Sequence, residues 1–163
     1  FAGHNTQESA WEEFDIEQAL RQALALVEHQ LDKGLIETSL ECEEDLPRFV
    51  GHIGELEQVF INLMINAQNA MAHGGALCIA ARREGQQIEV SFADTGPGIA
   101  PEHFDRIFEP FYTTRADEGG TGLGLAVSYR IIERLQGVLT VESAPGAGAI
   151  FIIRLPLSEE GGE

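Results

Sequence analysis

Basic residues are scarce in this sequence. Its 163 residues include 10 lysines and arginines against 27 aspartates and glutamates, which gives a formal net charge of −17 at pH 7. A protein binds nucleic acid or an anionic lipid surface by neutralising phosphates, so this charge excludes both nucleic acid and membrane contact for this chain. A small polyanion such as a nucleotide can still bind in a pocket that supplies backbone amides, arginines or a metal ion.

Cysteines and long apolar segments are also lacking. Cys42 and Cys78 form neither a disulfide framework nor a metal-ligand spacing, so a reduced, cytosolic setting is expected. Uninterrupted apolar runs, such as residues 76–81, reach five or six residues, whereas a bilayer span needs about 20. There is no initiator methionine and no secretory signal near Phe1. We therefore expect a cytoplasmic piece of a longer protein, whether or not that protein is anchored in a membrane.

The hydrophobic pattern predicts one domain with helices on a sheet. Hydrophobic residues make up 44% of the chain, enough for a sizeable core. Helical and alternating periodicities place the elements along the chain. The predicted helices cover residues 16–34, 54–71 and 123–135, and the predicted strands cover residues 35–41, 76–83, 87–93, 137–142 and 149–155. Strands and helices do not alternate one for one, so we expect an α/β two-layer sandwich: a mixed, mostly antiparallel sheet covered on one face by about three helices.

The polar face of the second predicted helix carries an unusual row of amides. Glu55, Gln58, Asn62, Asn66 and Asn69 lie three or four residues apart and therefore share one face. A solvated helix face usually carries Lys, Glu or Arg, because each Asn costs several tenths of a kcal/mol of helix propensity. An amide oxygen is a neutral ligand for Mg²⁺, and an amide nitrogen can donate to phosphate. The row indicates either a solvated face or a ligand site.

A turn rich in glycine follows the predicted strand 87–93. Its sequence, residues 94–99, is DTGPGI. Asp, Gly and Pro also dominate ordinary turns. However, a carboxylate fixed at a strand end can accept a hydrogen bond from an exocyclic amine such as adenine N6, and glycines let the backbone pass close beside a flat base.

A second glycine-rich segment, GGTGLGL at residues 119–125, leads into the third predicted helix. Successive N–H groups at a helix start bind anions, and the helix dipole assists. No Gly-Lys-Ser/Thr follows, and no βαβ unit with a ribose-binding acid is present, so neither the P-loop nor the Rossmann fingerprint fits. The segment is a phosphate cradle, a hinge or both.

A long connection joins the two glycine-rich segments. We expect the hydrophobic core to include three side chains of this connection, those of Phe104, Ile107 and Phe108. Arg115 follows them, and its positive charge could bind a phosphate. Residues 112–121 have the length of a lid that closes over a ligand.

The order of these segments resembles a known family. The sequences, in order, are NLMINA at 62–67, DTGPGI at 94–99, FEPFYTT at 108–114 and GTGLGL at 120–125. They resemble the N, G1, F and G2 boxes of the catalytic ATP-binding domain of sensor histidine kinases. The resemblance covers residues 14–157 and implies that they form a Bergerat fold. The ATP lid of that fold would be the segment 112–121. Residues 1–13 would then be a linker or the end of an upstream dimerisation helix, and residues 158–163 a solvated tail.

The resemblance implies a role for each matching residue. Asn66 would ligate the Mg²⁺ that bridges the ATP phosphates, Asn62 would contact a phosphate or the reacting group, and Arg115 would supply charge, which makes these three the catalytic residues. Asp94 would accept a hydrogen bond from adenine N6. The other implied nucleotide contacts are Gly96, Gly98 and Ile99 at the base, Thr113 and Thr114 in the lid, and Gly120, Thr121, Gly122, Leu123 and Gly124 at the phosphates.

Two positions depart from the family pattern. Many members have a basic residue one turn after the metal-binding asparagine, where this chain has Asn69 as the implied phosphate contact. The F box more often ends in Lys, and Arg115 keeps that charge.

Asn62 distinguishes between subfamilies. Gyrase, mismatch-repair and heat-shock chaperone ATPases place a glutamate there to activate water, and an amide cannot act as a general base. The resemblance therefore implies a domain that holds ATP or ADP and hands the γ-phosphoryl to a histidine on a separate dimerisation domain, for relay to a response-regulator aspartate. None of the five histidines has the context of that acceptor, which is expected upstream of residue 1. The alternatives are a serine kinase of the anti-sigma-factor type and a nucleotide-sensing module of the same fold.

Overall fold

The computed structural model of this chain describes residues 11–103, 106–109, 123–143 and 146–157. The elements in those ranges are β1 (Glu12–Phe14), α1 (Ile16–Lys33), β2 (Ile36–Cys42), β3 (Phe49–Gly51), α2 (Ile53–Ala70), β4 (Gly75–Glu84), β5 (Gln87–Asp94), a short 3-10 helix (Pro101–His103), α3 (Leu123–Arg134), β6 (Val138–Ser143) and β7 (Ala149–Pro156). The three predicted helices and five predicted strands are confirmed, with bounds that differ by at most one residue.

The main sheet has five strands in the order β2-β4-β5-β7-β6. β2 and β4 run parallel, and the other neighbouring pairs run antiparallel. Side chains alternate along β5, so that Ile88, Val90 and Phe92 enter the core while Glu89 and Ser91 lie on the opposite face. The helices cover the apolar face. This confirms the predicted two-layer sandwich with a mixed, mostly antiparallel sheet.

α2 is the central helix of the helical layer, because it packs against α1 on one side and α3 on the other. Apolar residues recur at helical spacing from Leu56 to Met71, a stripe that predicts one buried face. The structure buries Leu56, Val59, Phe60, Leu63, Met64, Ala67 and Met71, and Ala70 is half-buried. Phe60 meets Phe92 of β5 with 5.9 Å between ring centroids. The stripe fixes the rotation of α2, and its amide-rich face therefore turns away from the sheet.

α1 begins as predicted at Ile16, and the side chain of the preceding Asp15 accepts a hydrogen bond from the backbone N–H of Glu17 at 3.0 Å. The helix ends at Gly34, as predicted. Gly34 caps the helix with φ −83°, and the left-handed residue is Leu35, with φ +62°. Leu35 is 76% exposed. Because of this turn the strand begins at Ile36 rather than at Leu35.

Replacing Leu35 with glycine is expected to stabilise the fold by about 1 kcal/mol. A left-handed conformation costs a residue with a β-carbon about 1–2 kcal/mol, and glycine avoids this cost. Because glycine loses more conformational entropy on folding, roughly half of the stabilisation is cancelled. Thermal unfolding measures the change. The matched control is Leu26→Gly in α1, also an exposed leucine at 71%, which is expected to destabilise by about 1 kcal/mol. Equal destabilisation by both variants would contradict the backbone argument.

A small two-stranded sheet was not predicted. β1 pairs antiparallel with β3, and Phe14 lies opposite Phe49 with 5.9 Å between ring centroids. β1 begins at Glu12, inside the segment 1–13 expected to be a linker or the end of an upstream helix, and β3 lies between the predicted strand 35–41 and the predicted helix 54–71. Each strand has three residues, too few to show alternation.

The cysteines behave as the sequence predicted. Both are free thiols, Cys42 half-buried in β2 and Cys78 exposed in β4. Burial, followed by the nearby carboxylate of Glu17, raises the pKa of Cys42 to about 11, so this thiol stays protonated at neutral pH. Among the helices in the described ranges, none combines the length and the apolar character that crossing a membrane requires.

Candidate nucleotide site

The first half of the amide-rich face of α2 contacts α3. Glu55 forms an ion pair with Arg134 at 2.6 Å. Asn62 Nδ2 donates to the carbonyl oxygen of Gly124 at 3.3 Å and to Ser128 Oγ at 3.2 Å. Thus Asn62 lies beside the first turn of α3, which directly follows the glycine-rich segment in the chain. The sequence predicted the row of amides but gave no sign of these partners.

The second half of the same face extends toward the turn after β5. Asn66 is half-buried and Asn69 is exposed. Ala70, one turn after Asn66, lies against Gly96: a β-carbon built on Gly96 would be 2.9 Å from the Ala70 carbonyl oxygen. Only glycine permits this approach without displacement of the backbone. The turn 94–99 therefore packs directly on the end of α2.

Asp94 is buried at the end of β5, with 7% of its surface exposed. Its Oδ1 accepts hydrogen bonds from the backbone N–H of Gly96 at 2.9 Å and of Ala149 at 3.3 Å. Two backbone donors orient the carboxylate and compensate for the water that it loses on burial. The structure thus places a fixed carboxylate where the sequence predicted one.

The turn at residues 94–99, called the Asp94 turn below, also packs against the turn between β6 and β7. The sequence did not predict this contact. Ser143 Oγ accepts from the backbone N–H of Ile99 at 2.7 Å and donates to the carbonyl oxygen of Gly148 at 2.7 Å. The N–H of Gly146 donates to the carbonyl oxygen of Pro97 at 2.6 Å.

Gly148 completes this contact between the two turns. It has φ +79°, and a β-carbon there would collide with the Asp94 carbonyl oxygen. The sequence has one signal for this contact, the glycine pair in PGAG at residues 145–148, which by itself indicates only a turn between two strands.

One face of α2 joins the two glycine-rich segments. Asn62, Asn66 and Ala70 are spaced four apart and therefore lie in one row, which is about 12 Å long at 1.5 Å per residue. Asn62 contacts the start of α3 and Ala70 contacts the Asp94 turn. Asn66 lies between these contacts, so the row has a buried carboxylate near one end, a helix start at the other and an amide in the middle.

The donor set suits a metal ion that is shared with phosphates. Among the described residues no group of three or more His, Cys, Asp or Glu side chains could hold a metal ion. The amide oxygen of Asn66 is a suitable ligand for Mg²⁺, which in nucleotide sites also takes oxygen ligands from phosphates and water. Burial raises the pKa of Glu57, which lies on α2 outside the amide row.

Several predicted residues lie outside the described ranges: Thr113, Thr114, Arg115, Gly120, Thr121 and Gly122. Gly98 and Ile99 are described, and Gly98 has φ +83°. α3 begins at Leu123, and Gly124 is its second residue. Of the three residues predicted to pack into the core, Ile107 is buried, and Phe108 stacks on Tyr129 of α3 with 5.2 Å between ring centroids. The third, Phe104, lies outside the described ranges.

The chain is similar in sequence to a known protein family. Residues 51–159 match the family described as Histidine kinase-, DNA gyrase B-, and HSP90-like ATPase. Sporulation kinase E of Bacillus subtilis (strain 168) is 37% identical over 154 residues, which are 94% of this chain and 21% of that protein. The chain thus spans about a fifth of the length of this relative.

Solved structures give the same result. The catalytic domain of histidine kinase ThkA, in a nucleotide-free form, has a TM-score of 0.83 and 31% identity, covering 93% of this chain and 99% of that one. ThkA in complex with response regulator protein TrrA has a TM-score of 0.78 and 29% identity, covering 92% of this chain and 42% of that one. Full-length ShkA in complex with AMPPNP has a TM-score of 0.82 and 32% identity, covering 91% and 31%.

These matches confirm the resemblance drawn from the four sequence motifs. The family match covers the amide row of α2, the Asp94 turn and the glycine-rich segment before α3. The chain belongs to the histidine kinase-, DNA gyrase B- and HSP90-like ATPase family, and its fold is that of a histidine kinase catalytic domain.

Proposed function

We propose that this chain is the catalytic ATP-binding domain of a two-component sensor histidine kinase. It binds ATP with Mg²⁺ and donates the γ-phosphoryl to a histidine on a separate dimerisation domain of the same protein. The observation that carries the proposal is the row along α2, which connects the buried Asp94 turn to the start of α3 and has Asn66 between them.

The adenine end of the site is the Asp94 turn. The Asp94 carboxylate, oriented by the N–H groups of Gly96 and Ala149, accepts a hydrogen bond from adenine N6. An acceptor at this point selects adenine, which carries an amine at C6, over guanine, which carries a carbonyl there. Gly96 and Gly98 keep the backbone free of side chains beside the base, and Ile99 contributes apolar surface.

The phosphate end is the start of α3. Backbone N–H groups of Gly120, Gly122, Leu123 and Gly124, with Thr121 nearby, bind the phosphates, and the dipole of α3 favours their charge. Thr113, Thr114 and Arg115 contribute from the connection before it, and Asn69 contacts phosphate in place of a basic residue. Asn66 would hold Mg²⁺, which would supply positive charge against the phosphate oxygens in phosphoryl transfer.

Asn62 does not activate water. Where related ATPases have a glutamate, Asn62 has an amide, which is not a general base, and both of its donor contacts go to α3. Catalysis therefore consists of positioning and charge neutralisation, with the nucleophile supplied by another domain.

Three further assignments accompany this proposal. The catalytic domain covers residues 14–157, together with β1. A response-regulator receiver domain is the final phosphoryl acceptor, because the similar kinase ThkA is known in complex with response regulator protein TrrA. The domain works in the cytoplasm, where ATP is available.

Transfer of radiolabel tests the function. The chain is incubated with γ-labelled ATP, Mg²⁺ and the histidine-containing dimerisation domain of its parent protein. We expect label on that domain that is lost in acid and stable in base, as for phosphohistidine. Acid-stable label on a serine of a partner protein would instead identify a serine kinase. ATP binding without transfer to either acceptor would identify a nucleotide-sensing module.

A further inference from the structure

We propose that Ser128 is a positioning residue for the triphosphate, which it never touches. Together with Asn62 it fixes the first turn of α3, and so it sets the position of the backbone N–H groups that bind the phosphates. This inference rests on the proposed function and extends it to a residue outside the four sequence motifs.

Ser128 is one of two buried polar or charged residues among those described, and its exposed fraction is 0%. A buried hydroxyl is costly unless it is hydrogen-bonded, and serine is a poorer helix former than alanine. Its partner is Asn62 Nδ2 at 3.2 Å. The bond to Asn62 therefore explains why a serine, rather than an alanine, lies inside α3.

The amide nitrogen of Asn62 is engaged entirely in this contact. Its amide nitrogen donates to both the Ser128 hydroxyl and the Gly124 carbonyl oxygen, which uses its two N–H bonds. Its Oδ1 accepts from Gln58 Nε2 at 2.9 Å. In this arrangement Asn62 acts on the phosphates through α3, because both of its donors are engaged there.

The chain offers a matched control. Arg134, at the other end of α3, also joins α3 to α2, through its ion pair with Glu55. It lies ten residues beyond Gly124, about 15 Å along the helix axis. Replacing Arg134 loosens the same helix pair at the end remote from the glycine-rich segment.

The experiment measures the affinities of ATP and adenosine, each with Mg²⁺, by isothermal titration calorimetry on the full chain. For Ser128→Ala we expect ATP to bind about tenfold more weakly, the equivalent of one lost hydrogen bond, with adenosine unchanged within about twofold. For Arg134→Gln we expect both affinities to stay within about twofold of the starting protein. Thermal unfolding without nucleotide verifies that both variants are folded.

A double variant tests whether Ser128 and Asn62 act together. If Asn62 acts through Ser128 and Gly124, then Asn62→Ala with Ser128→Ala loses no more ATP affinity than Asn62→Ala alone. Additive losses, an unchanged affinity ratio in Ser128→Ala, or an equal loss of ATP and adenosine would each overturn the inference. If the unaltered chain bound ATP no more tightly than adenosine, the proposed function would fail instead.

Discussion

Replacing Asp94 with asparagine is expected to weaken ATP binding about tenfold to a hundredfold, or about 1–3 kcal/mol. The asparagine oxygen can still accept from the N–H groups of Gly96 and Ala149, so the turn keeps its shape. The change places an amide donor against the donor amine of adenine. Calorimetric titration with ATP measures the loss.

Two comparisons identify the cause of that loss. Inosine triphosphate carries a carbonyl in place of the adenine amine, so Asp94→Asn should reduce or reverse the preference for ATP over inosine triphosphate. Asp32→Asn, an equal change of charge at an exposed position in α1, should leave both affinities unchanged. If Asp94→Asn kept the full preference for ATP, adenine would have to be recognised elsewhere.

Replacing Asn66 with alanine is expected to abolish the Mg²⁺ dependence of ATP binding and to stop phosphoryl transfer. In the proposed site the Asn66 amide oxygen is a ligand of the metal, and alanine has no side-chain oxygen to replace it. ATP affinity is measured by calorimetry with Mg²⁺ and with a chelator, and transfer is measured by radiolabel.

The paired variant is Asn66→Asp, which keeps an oxygen at the same position. It should retain a Mg²⁺-dependent affinity because carboxylate is also a ligand that Mg²⁺ prefers. If ATP binding by Asn66→Ala still became tighter with Mg²⁺, the metal ligand would lie elsewhere in the chain.

The parts of the fold that could be predicted are those with a local signature. The stripe from Leu56 to Ala67 repeats at helical spacing, and it predicted both the helix and its buried face. The alternation along β5 predicted its strand in the same way, and the residue after Ala93 was correctly expected at its end, where Asp94 is buried.

The parts that could not be predicted depend on contacts between distant segments. Asn62 and Ser128 are 66 residues apart, and Ile99 and Ser143 are 44 apart. Neither pair leaves a mark on local periodicity, because the partner is brought in only by packing of α3 on α2 or of the β6–β7 turn on the Asp94 turn. Leu35 shows a different limit. A glycine at the end of a helix usually adopts the left-handed conformation, but here Gly34 does not, and the next residue, Leu35, adopts it instead.

Titration of the unaltered chain with ATP, in the presence of Mg²⁺ and again with the metal chelated, addresses the whole account in one measurement. Saturable uptake of one equivalent of nucleotide, tighter when magnesium is present, is the predicted outcome. Heat signals indistinguishable from dilution at every divalent-ion concentration would contradict it, because a folded domain of this family would then lack the ligand for which its α2 row and buried carboxylate are arranged.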